Sequence, residues 1–250
     1  MTSVRLTDRN VLVTGGTRGI GRAIVLTLAR AGANVLTCHR QENEAAASLA
    51  SELKEIPGDH HLVRADVTDP AQVRSLLEEA RARYGSLDAV VNNAGVISHI
   101  PFAELAEDEW HRVIDTHLTA AFLVTQGALP LLGQGASVVN IGSRVATVGL
   151  PQRAHYTAAK AGLTGLSRSL CKELGGRGIR VNMVDPGVIE TEAAAALPPE
   201  QYQALQARYR ALTSLGRLGA PDEVADVVLF LVGDLSRYMS GATLAVDGGI

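Results

Sequence analysis

The chain has 250 residues, the size of one large domain or two small ones. No Pro/Ser-rich or low-complexity stretch divides it, so we predict one domain over residues 1–250. Apolar residues make up 46% and charged residues 20%, which suits a globular protein with a large core. The formal net charge of −3 and the lack of a long basic stripe argue against a nucleic-acid-binding protein.

Targeting and redox signals are absent from the sequence. The first ten residues are polar and lack the apolar centre of a signal peptide, and no apolar run has the length of a membrane span. Cys38 and Cys171 lie far apart without a metal or redox spacing, so we expect two reduced thiols and no metal site. These features predict a cytoplasmic protein without a membrane or nucleic-acid partner.

Short apolar runs alternate with amphipathic stretches along the chain. This alternation predicts an α/β fold: a single-domain, doubly wound (Rossmann) parallel sheet of seven strands with helices on both faces. Ligands of such sheets bind beyond the carboxyl ends of the strands. The predicted strands are 10–14, 34–38, 61–65, 87–91, 136–142, 179–184 and 243–246, and the predicted helices include 20–31, 42–56, 70–84, 107–132 and 154–175.

A glycine-rich turn at 15–21 separates the first strand from the first helix, with the spacing G-x-x-x-G-x-G. Glycines let a backbone approach a pyrophosphate, and the free N–H groups of a helix start attract the anion. Such turns are also built for structure alone, so the strand before it and the helix after it decide in favour of a dinucleotide site.

The end of the second strand indicates which dinucleotide binds. An acidic residue there would hold the ribose 2′-hydroxyl of NAD, but the chain has His39 and Arg40, and Arg18 lies inside the glycine turn. Each arginine alone is compatible with a solvated surface charge. Together, with no carboxylate at the strand end, they favour a 2′-phosphate and therefore NADP(H).

Tyr156 and Lys160 are four residues apart in a predicted helix, so both side chains lie on one helix face. A nearby ammonium favours the phenolate, and we expect it to lower the pKa of the phenol and make it a usable acid or base. The same spacing occurs in solvated ladders. Ser143, thirteen residues upstream at the end of a predicted strand, makes a reaction site the better interpretation.

Over essentially its whole length the chain resembles the short-chain dehydrogenase/reductase family. The resemblance is carried by the turn at 14–21, by 92–95, by Ser143 and the Tyr156/Lys160 pair, by Pro186-Gly187, and by the 247–249 ending. It implies that Tyr156 is the general acid of carbonyl reduction, that Ser143 hydrogen-bonds the carbonyl, and that Lys160 binds the nicotinamide ribose and lowers the tyrosine pKa.

The resemblance also implies a cofactor site. Thr191 would meet the nicotinamide carboxamide, Asn93 and Gly95 would form the adenosine side, and Asp66 would contact adenine, although Asp66 also suits a helix cap. The full set of predicted cofactor residues is Gly15, Thr17, Arg18, Gly19, Ile20, Gly21, His39, Arg40, Asp66, Val67, Asn93, Ala94, Gly95, Tyr156, Lys160, Pro186, Gly187, Val188 and Thr191.

His117 is the one departure from the family pattern. It stands where the family has an asparagine that fixes a helix kink and a water leading from the lysine to solvent. We predict that its imidazole takes over the proton relay, since a histidine can donate and accept near neutral pH. A slower or specialised site and simple helix packing are the alternatives.

The sequence indicates the substrate less clearly than it indicates the cofactor. The chain is similar to reductases of acyl groups bound to a carrier protein, which meet the acidic carrier through basic residues. The stretch 131–135 before the fifth strand has no charge, and Arg177, the remaining candidate, also suits a helix end. We therefore place a free ketone above a carrier-bound one.

A substrate lid is predicted at about 188–215, with a helix from 199 to about 211. Its apolar residues could line a pocket for a cyclic or polyketide-derived ketone, or could pack the lid on the body. The candidate wall residues are 193–197, Tyr202, Leu205 and Tyr209 in the lid, with Leu150 and His155 beside the reaction site.

Three functions compete. The first is an NADPH-dependent ketone reductase; the second is an NAD-dependent alcohol or sugar dehydrogenase; the third is a protein that binds NADP(H) without turnover. The resemblance also implies a homo-oligomer, a dimer or tetramer, formed through the fourth and fifth predicted helices (107–132 and 154–175).

Overall fold

One seven-stranded sheet organises the molecule. The computed structural model describes residues 4–192 and 198–250. All strand pairs are parallel, and the strand order is β3-β2-β1-β4-β5-β6-β7. The predicted fold class is confirmed. The strands are β1 (Asn10–Thr14), β2 (Asn34–His39), β3 (His61–Arg64), β4 (Leu87–Asn92), β5 (Leu132–Ile141), β6 (Arg180–Pro186) and β7 (Thr243–Val246).

Helices connect the strands and cover the sheet. One of them, α3, has a clear start signal: it begins at Pro70, after the cap residue Asp69, whose carboxylate accepts from the N–H groups of Ala71 and Gln72. The helices are α1 (Gly19–Arg30), α2 (Glu44–Lys54), α3 (Pro70–Tyr84), α4 (Glu107–Ile114), α5 (Ala120–Ala128), α6 (Val145–Val148), α7 (Ala154–Leu174), α8 (Pro199–Leu212) and α9 (Pro221–Val232).

Successive residues of the central strands enter two different hydrophobic cores, because side chains alternate across a sheet. Val11 and Val13 of β1 pack with α1 and α9 on one face, while Leu12 packs with α3 and α5 on the other. Both faces are covered, which explains why these strands are continuous apolar runs.

The helix predicted at 107–132 is shorter and interrupted. A π-helical turn at Asp115–Thr119 separates α4 from α5, and α5 ends at Ala128. Leu132 already belongs to β5, where it pairs with Leu87. The helix boundary was placed too late because the apolar pattern continues from helix into strand, and periodicity does not separate the two over so short a run.

A buried polar network fixes α7 against the sheet. The amide of Asn92 donates to Thr125 and Asn140, at 2.9 and 2.7 Å, and Asn140 donates to Ser167 of α7 at 2.8 Å. Buried polar groups need such partners, and each bond here has a defined direction. The network therefore sets the position of the helix that carries Tyr156 and Lys160.

The order of strands changes direction between β1 and β4, since β2 and β3 lie on one side and β5 to β7 on the other. The carboxyl ends at this switch point are followed by the glycine turn, by 93–95 and by Ser143. Of the helices in the described part of the chain, none is long and apolar enough to cross a membrane.

Candidate active site

The glycine turn forms an anion site at the start of α1. A Cβ on Gly21 would lie 2.1 Å from the carbonyl oxygen of Gly15, so the helix packs on the turn without room for a side chain. The N–H of Gly19 donates to the carboxylate of Glu192, with N···O distances of 3.0 and 3.4 Å. A carboxylate on a helix N-terminus is a stand-in for a phosphate. The turn therefore fits the pyrophosphate of a dinucleotide.

A first cavity of about 420 Å³ opens beside this turn. Arg18 and Arg40 both line it, and both are exposed, while His39 is buried and lies 3.1 Å from Glu42. No salt bridge occupies either arginine within residues 4–192 and 198–250. The structure thus brings the two predicted guanidinium groups into one cavity wall.

Most of the predicted cofactor residues line the first cavity or the second cavity described below. Asp66 lines the first, and its Oδ1 accepts from the backbone N–H and the hydroxyl of Thr68, at 3.0 and 2.7 Å. The cap of α3 is Asp69 and not Asp66, so the alternative reading of Asp66 as the helix cap is wrong. The first cavity is lined by Gly15, Thr17, Arg18, Ile20, Gly21, His39, Arg40, Asp66, Val67, Asn93, Ala94, Gly95 and Thr191 among the predicted set.

A second cavity of about 730 Å³ contains Ser143, Tyr156 and Lys160 in its wall. Ile20, Asn93, Gly95 and Thr191 line both cavities, so the two share a boundary. Pro186, Gly187 and Val188 line the second cavity as well. An extended ligand can therefore reach from the arginines to the tyrosine.

Burial raises the pKa of Tyr156 above its ordinary value of 10.0, although hydrogen bonding by the Ser143 hydroxyl and the charge of Arg153 act in the opposite direction. The expected lowering of this pKa is wrong for the free protein, because desolvation outweighs the favourable neighbours. A phenol with a raised pKa keeps its proton at neutral pH. It can donate this proton to an oxygen that gains negative charge during a reaction.

The ammonium of Lys160 is buried beside this phenol. Its Nζ lies 5.7 Å from the centroid of the Tyr156 ring and donates to the carbonyl oxygen of Ile141 at 2.6 Å. Burial lowers the pKa of Lys160 from 10.5 to about 8, and the charge of Asp185 works against that fall. The lysine is therefore still charged at neutral pH, as the predicted site requires.

His117 occupies the π-helical turn and packs edge-on against Tyr156, with the ring centroids 5.0 Å apart. Its Nε2 lies 2.6 Å from the carbonyl oxygen and 3.1 Å from the backbone nitrogen of Val96. The shorter contact is to an acceptor, so we assign the proton to this nitrogen. Burial, with the charge of Lys160, lowers its pKa to about 3. At that pKa the neutral imidazole is the favoured form at neutral pH, and a relay through the imidazolium form is disfavoured.

Helix α8, which belongs to the segment predicted as a lid, contributes part of the predicted wall. Leu205 and Tyr209 of α8 line the second cavity together with Leu150. His155 does not line it: its side chain is fully buried, and its Nε2 lies 2.8 Å from the hydroxyl of Ser98. Tyr202 is also absent from the wall and bonds Glu190. The residues 193–197 lie outside the described residues.

Arg177 is engaged within the fold. Its Nη2 donates to the carbonyl oxygens of Leu129 and Leu132, at 2.7 and 3.2 Å. These bonds satisfy carbonyl acceptors between the end of α5 and the start of β5. A structural role for Arg177 at a helix end is therefore favoured over a contact with a carrier protein.

Sequence reasoning missed three residues at the site: Asp185, Arg153 and His99. Asp185 is 5% exposed at the end of β6, and a carboxylate directly after the predicted strand at 179–184 was an available signal. Arg153 donates to the Nε2 of His99 at the wall of the second cavity. No periodic signal marks that pair, because one residue follows β4 and the other precedes α7.

Comparison with known proteins agrees with this arrangement. The family model described as "Enoyl-(Acyl carrier protein) reductase" matches residues 15–250. The chain is 41% identical over 241 residues to the 3-oxoacyl-[acyl-carrier-protein] reductase FabG of Escherichia coli (strain K12), covering 96% of each chain.

Two solved structures are similar over 98% of both chains. One is a short chain dehydrogenase from Burkholderia cenocepacia J2315 in complex with NADP, with a TM-score of 0.91 and 33% identity. The other is a blue fluorescent protein from a metagenomic library in complex with NADPH, with a TM-score of 0.91 and 36% identity.

The fold and the shared cavities define a dinucleotide-binding oxidoreductase. The chain belongs to the short-chain dehydrogenase/reductase family.

We predict that Gly21→Ala destabilises the protein by about 1 to 3 kcal/mol, since the added methyl group overlaps the backbone of Gly15. This cost exceeds the gain of up to about 1 kcal/mol that alanine brings to a helix. Denaturant unfolding measures the change. The control is Gly133→Ala, where a Cβ meets nothing within 4 Å and we expect a change within about 0.5 kcal/mol. Equal stability of the two variants would contradict the packing of α1 on the turn.

Proposed function

We infer that the protein is an NADPH-dependent reductase that converts a ketone to a secondary alcohol. The observation that carries this reading is the single cavity wall that Ser143, Tyr156 and the buried Lys160 share, in a cavity that borders the one lined by Arg18 and Arg40. The relatives add support, since one is named a 3-oxoacyl-[acyl-carrier-protein] reductase and two solved neighbours hold NADP or NADPH.

We propose the following roles. When bound, NADPH supplies the hydride for the carbonyl carbon. Tyr156 donates its proton to the carbonyl oxygen, the Ser143 hydroxyl donates a hydrogen bond to the same oxygen, and the Lys160 ammonium stabilises the phenolate that remains. The neutral ring of His117 supports the phenol through its edge-on contact and so belongs to the site as a positioning residue.

The cofactor would be held by the two cavity walls. The start of α1 would hold the pyrophosphate, with the carboxylate of Glu192 leaving the N–H of Gly19. Arg18 and Arg40 would bind the 2′-phosphate, Asp66 would face the adenine, and Thr191 would face the carboxamide. Lys160 would also reach the ribose next to the nicotinamide, because it lines the second cavity.

A free, largely apolar ketone suits the second cavity. Ile97, Val148, Leu150, Leu205 and Leu212 supply much of its wall. A cyclic or polyketide-derived ketone fits such a wall. A carrier-bound 3-oxoacyl group is the second candidate, because the relative from Escherichia coli is named a 3-oxoacyl-[acyl-carrier-protein] reductase. Two observations argue against it: Arg177 donates to a backbone carbonyl within the fold, and residues 131–135 carry no charge.

Several wider expectations belong to this proposal. The chain would form one domain over 1–250 with a substrate lid at about 188–215, and copies would associate through α4, α5 and α7 into a dimer or tetramer. The cytoplasm stays the predicted location. A protein that binds NADP(H) without turnover is disfavoured because Ser143, Tyr156 and Lys160 line one cavity.

Tyr156→Phe should lower kcat for ketone reduction by about 10²- to 10⁴-fold, because the proton donor is lost while the ring remains. The measurement is NADPH oxidation with the best substrate of a ketone panel. Tyr202→Phe, which removes a lid hydroxyl outside the cavity wall, is the matched control and should retain activity. Undiminished turnover by Tyr156→Phe would contradict the proposed mechanism.

Arg40→Ala should weaken NADPH binding about ten- to a hundredfold and leave NADH binding unchanged, because only NADPH carries the 2′-phosphate. Fluorescence titration with each cofactor measures both affinities. Arg64→Ala removes an exposed arginine at the end of β3 and should change neither. An equal loss for NADH and NADPH would refute the phosphate contact.

The free-ketone reading is tested with one 3-oxoacyl group offered as a small thioester and on an acyl carrier protein. We expect comparable kcat/KM for the two forms and no effect of Arg177→Ala on either, since the fold already uses this side chain. A strong preference for the carrier-bound form that Arg177→Ala selectively abolishes would establish carrier docking instead.

A further inference from the structure

Asp185 is a buried carboxylate for which the reaction described above has no role. It lies at the end of β6, directly before Pro186, and is 5% exposed. Its Oδ1 has no hydrogen-bond partner among the described groups. Burial raises the pKa of this carboxyl, and the charge of Lys160, a hydrogen bond from the backbone of Ser143 and the charge of Arg144 act in the opposite direction. A buried carboxylate stays ionised only where such interactions compensate the loss of water.

Asp185 and Lys160 lie against the same short piece of β5 and its following turn. The Nζ of Lys160 bonds the carbonyl oxygen of Ile141 at 2.6 Å. The Oδ1 of Asp185 lies 1.9 Å from the position that a Cβ on Gly142 would occupy. Gly142 therefore gives the carboxylate its space, and adjoining residues hold the two opposite charges.

The other ionisable groups around the lysine do not supply a negative charge. His117, from the π-helical turn, is neutral because its pKa is lowered to about 3. Tyr156, on the same helix, keeps its proton. Arg144, after β5, is positive and pairs with Asp247 at 2.8 Å. In residues 4–192 and 198–250, Asp185 is thus the acidic group whose charge acts on Lys160.

We propose that the carboxylate of Asp185 is the counter-ion that keeps the Lys160 ammonium charged inside the buried reaction site. The structure holds no direct salt bridge between them within 4.0 Å in the described residues, so the coupling acts through the low-dielectric interior. Asp185 is a positioning residue here. Its importance for turnover rests on the role proposed above for Lys160.

The lysine content of the chain allows a direct test. The sequence has three lysines, and Lys54 and Lys172 are exposed, so they serve as internal references for Lys160. Protein labelled with ¹³C at the lysine Cε is titrated by NMR without cofactor or substrate. In the wild type, Lys160 should titrate at about 8.

In Asp185→Asn, which keeps the shape and removes the charge, the pKa of Lys160 should fall by about one unit or more. Asp226→Asn, which removes an exposed carboxylate on α9, should leave it unchanged. The basic limb of kcat/KM for reduction should move to lower pH in Asp185→Asn, because the ammonium is then lost at lower pH. The same Lys160 titration in wild type and Asp185→Asn would overturn the proposal.

If Asp185→Asn does not fold, the reciprocal variant Lys160→Met tests the same coupling from the side of the carboxylate. The pKa of Asp185, followed by ¹³Cγ-aspartate NMR, should rise in Lys160→Met, because burial then acts without the opposing ammonium. An unchanged aspartate titration would overturn the proposal as well. Both titrations are made without turnover, so they remain decisive even if the Tyr156→Phe result were to refute the reaction mechanism.

Discussion

The reaction site depends on one costly constraint: the ammonium of Lys160 is held out of water. Its bond to the carbonyl oxygen of Ile141 ties α7 to the end of β5, next to Ser143. The network through Asn92, Asn140 and Ser167 holds the same helix to the sheet about two turns further along. Because the helix has a fixed position, its tyrosine and lysine share one cavity with the strand-end serine.

That constraint explains the electrostatics of the site. Burial raises the pKa of Tyr156 and lowers that of Lys160, so the phenol is protonated and the amine is still charged at neutral pH. Both states serve proton donation to an oxygen that gains negative charge. The anion site of α1 and the two arginines lie at a second cavity, which shares a boundary with the cavity of Tyr156 and Lys160.

Much of the arrangement follows from local sequence patterns. β1 and α3 have the predicted bounds because apolar runs and a proline at the first helical position are local signals. Three properties depend on the fold itself: the sign of the Tyr156 pKa shift, the burial of His155 and the neighbourhood of Asp185. Each depends on what packs around the side chain. Likewise, the sequence shows that a histidine stands at position 117 where the family has an asparagine. It does not show that burial lowers the pKa of this imidazole to about 3 and so favours its neutral form.

In the protein without substrate, the phenol of Tyr156 is protonated and lies beside the charged ammonium of Lys160. The ultraviolet absorbance of the phenolate, taken as wild type minus Tyr156→Phe over a pH titration of the cofactor-free protein, measures the ionisation of this one tyrosine. Because burial raises the pKa of Tyr156, we expect no phenolate signal until the pH exceeds the ordinary phenol value of 10.0. Ionisation near neutral pH would contradict it, because Tyr156 would then be a resident base and not a proton donor.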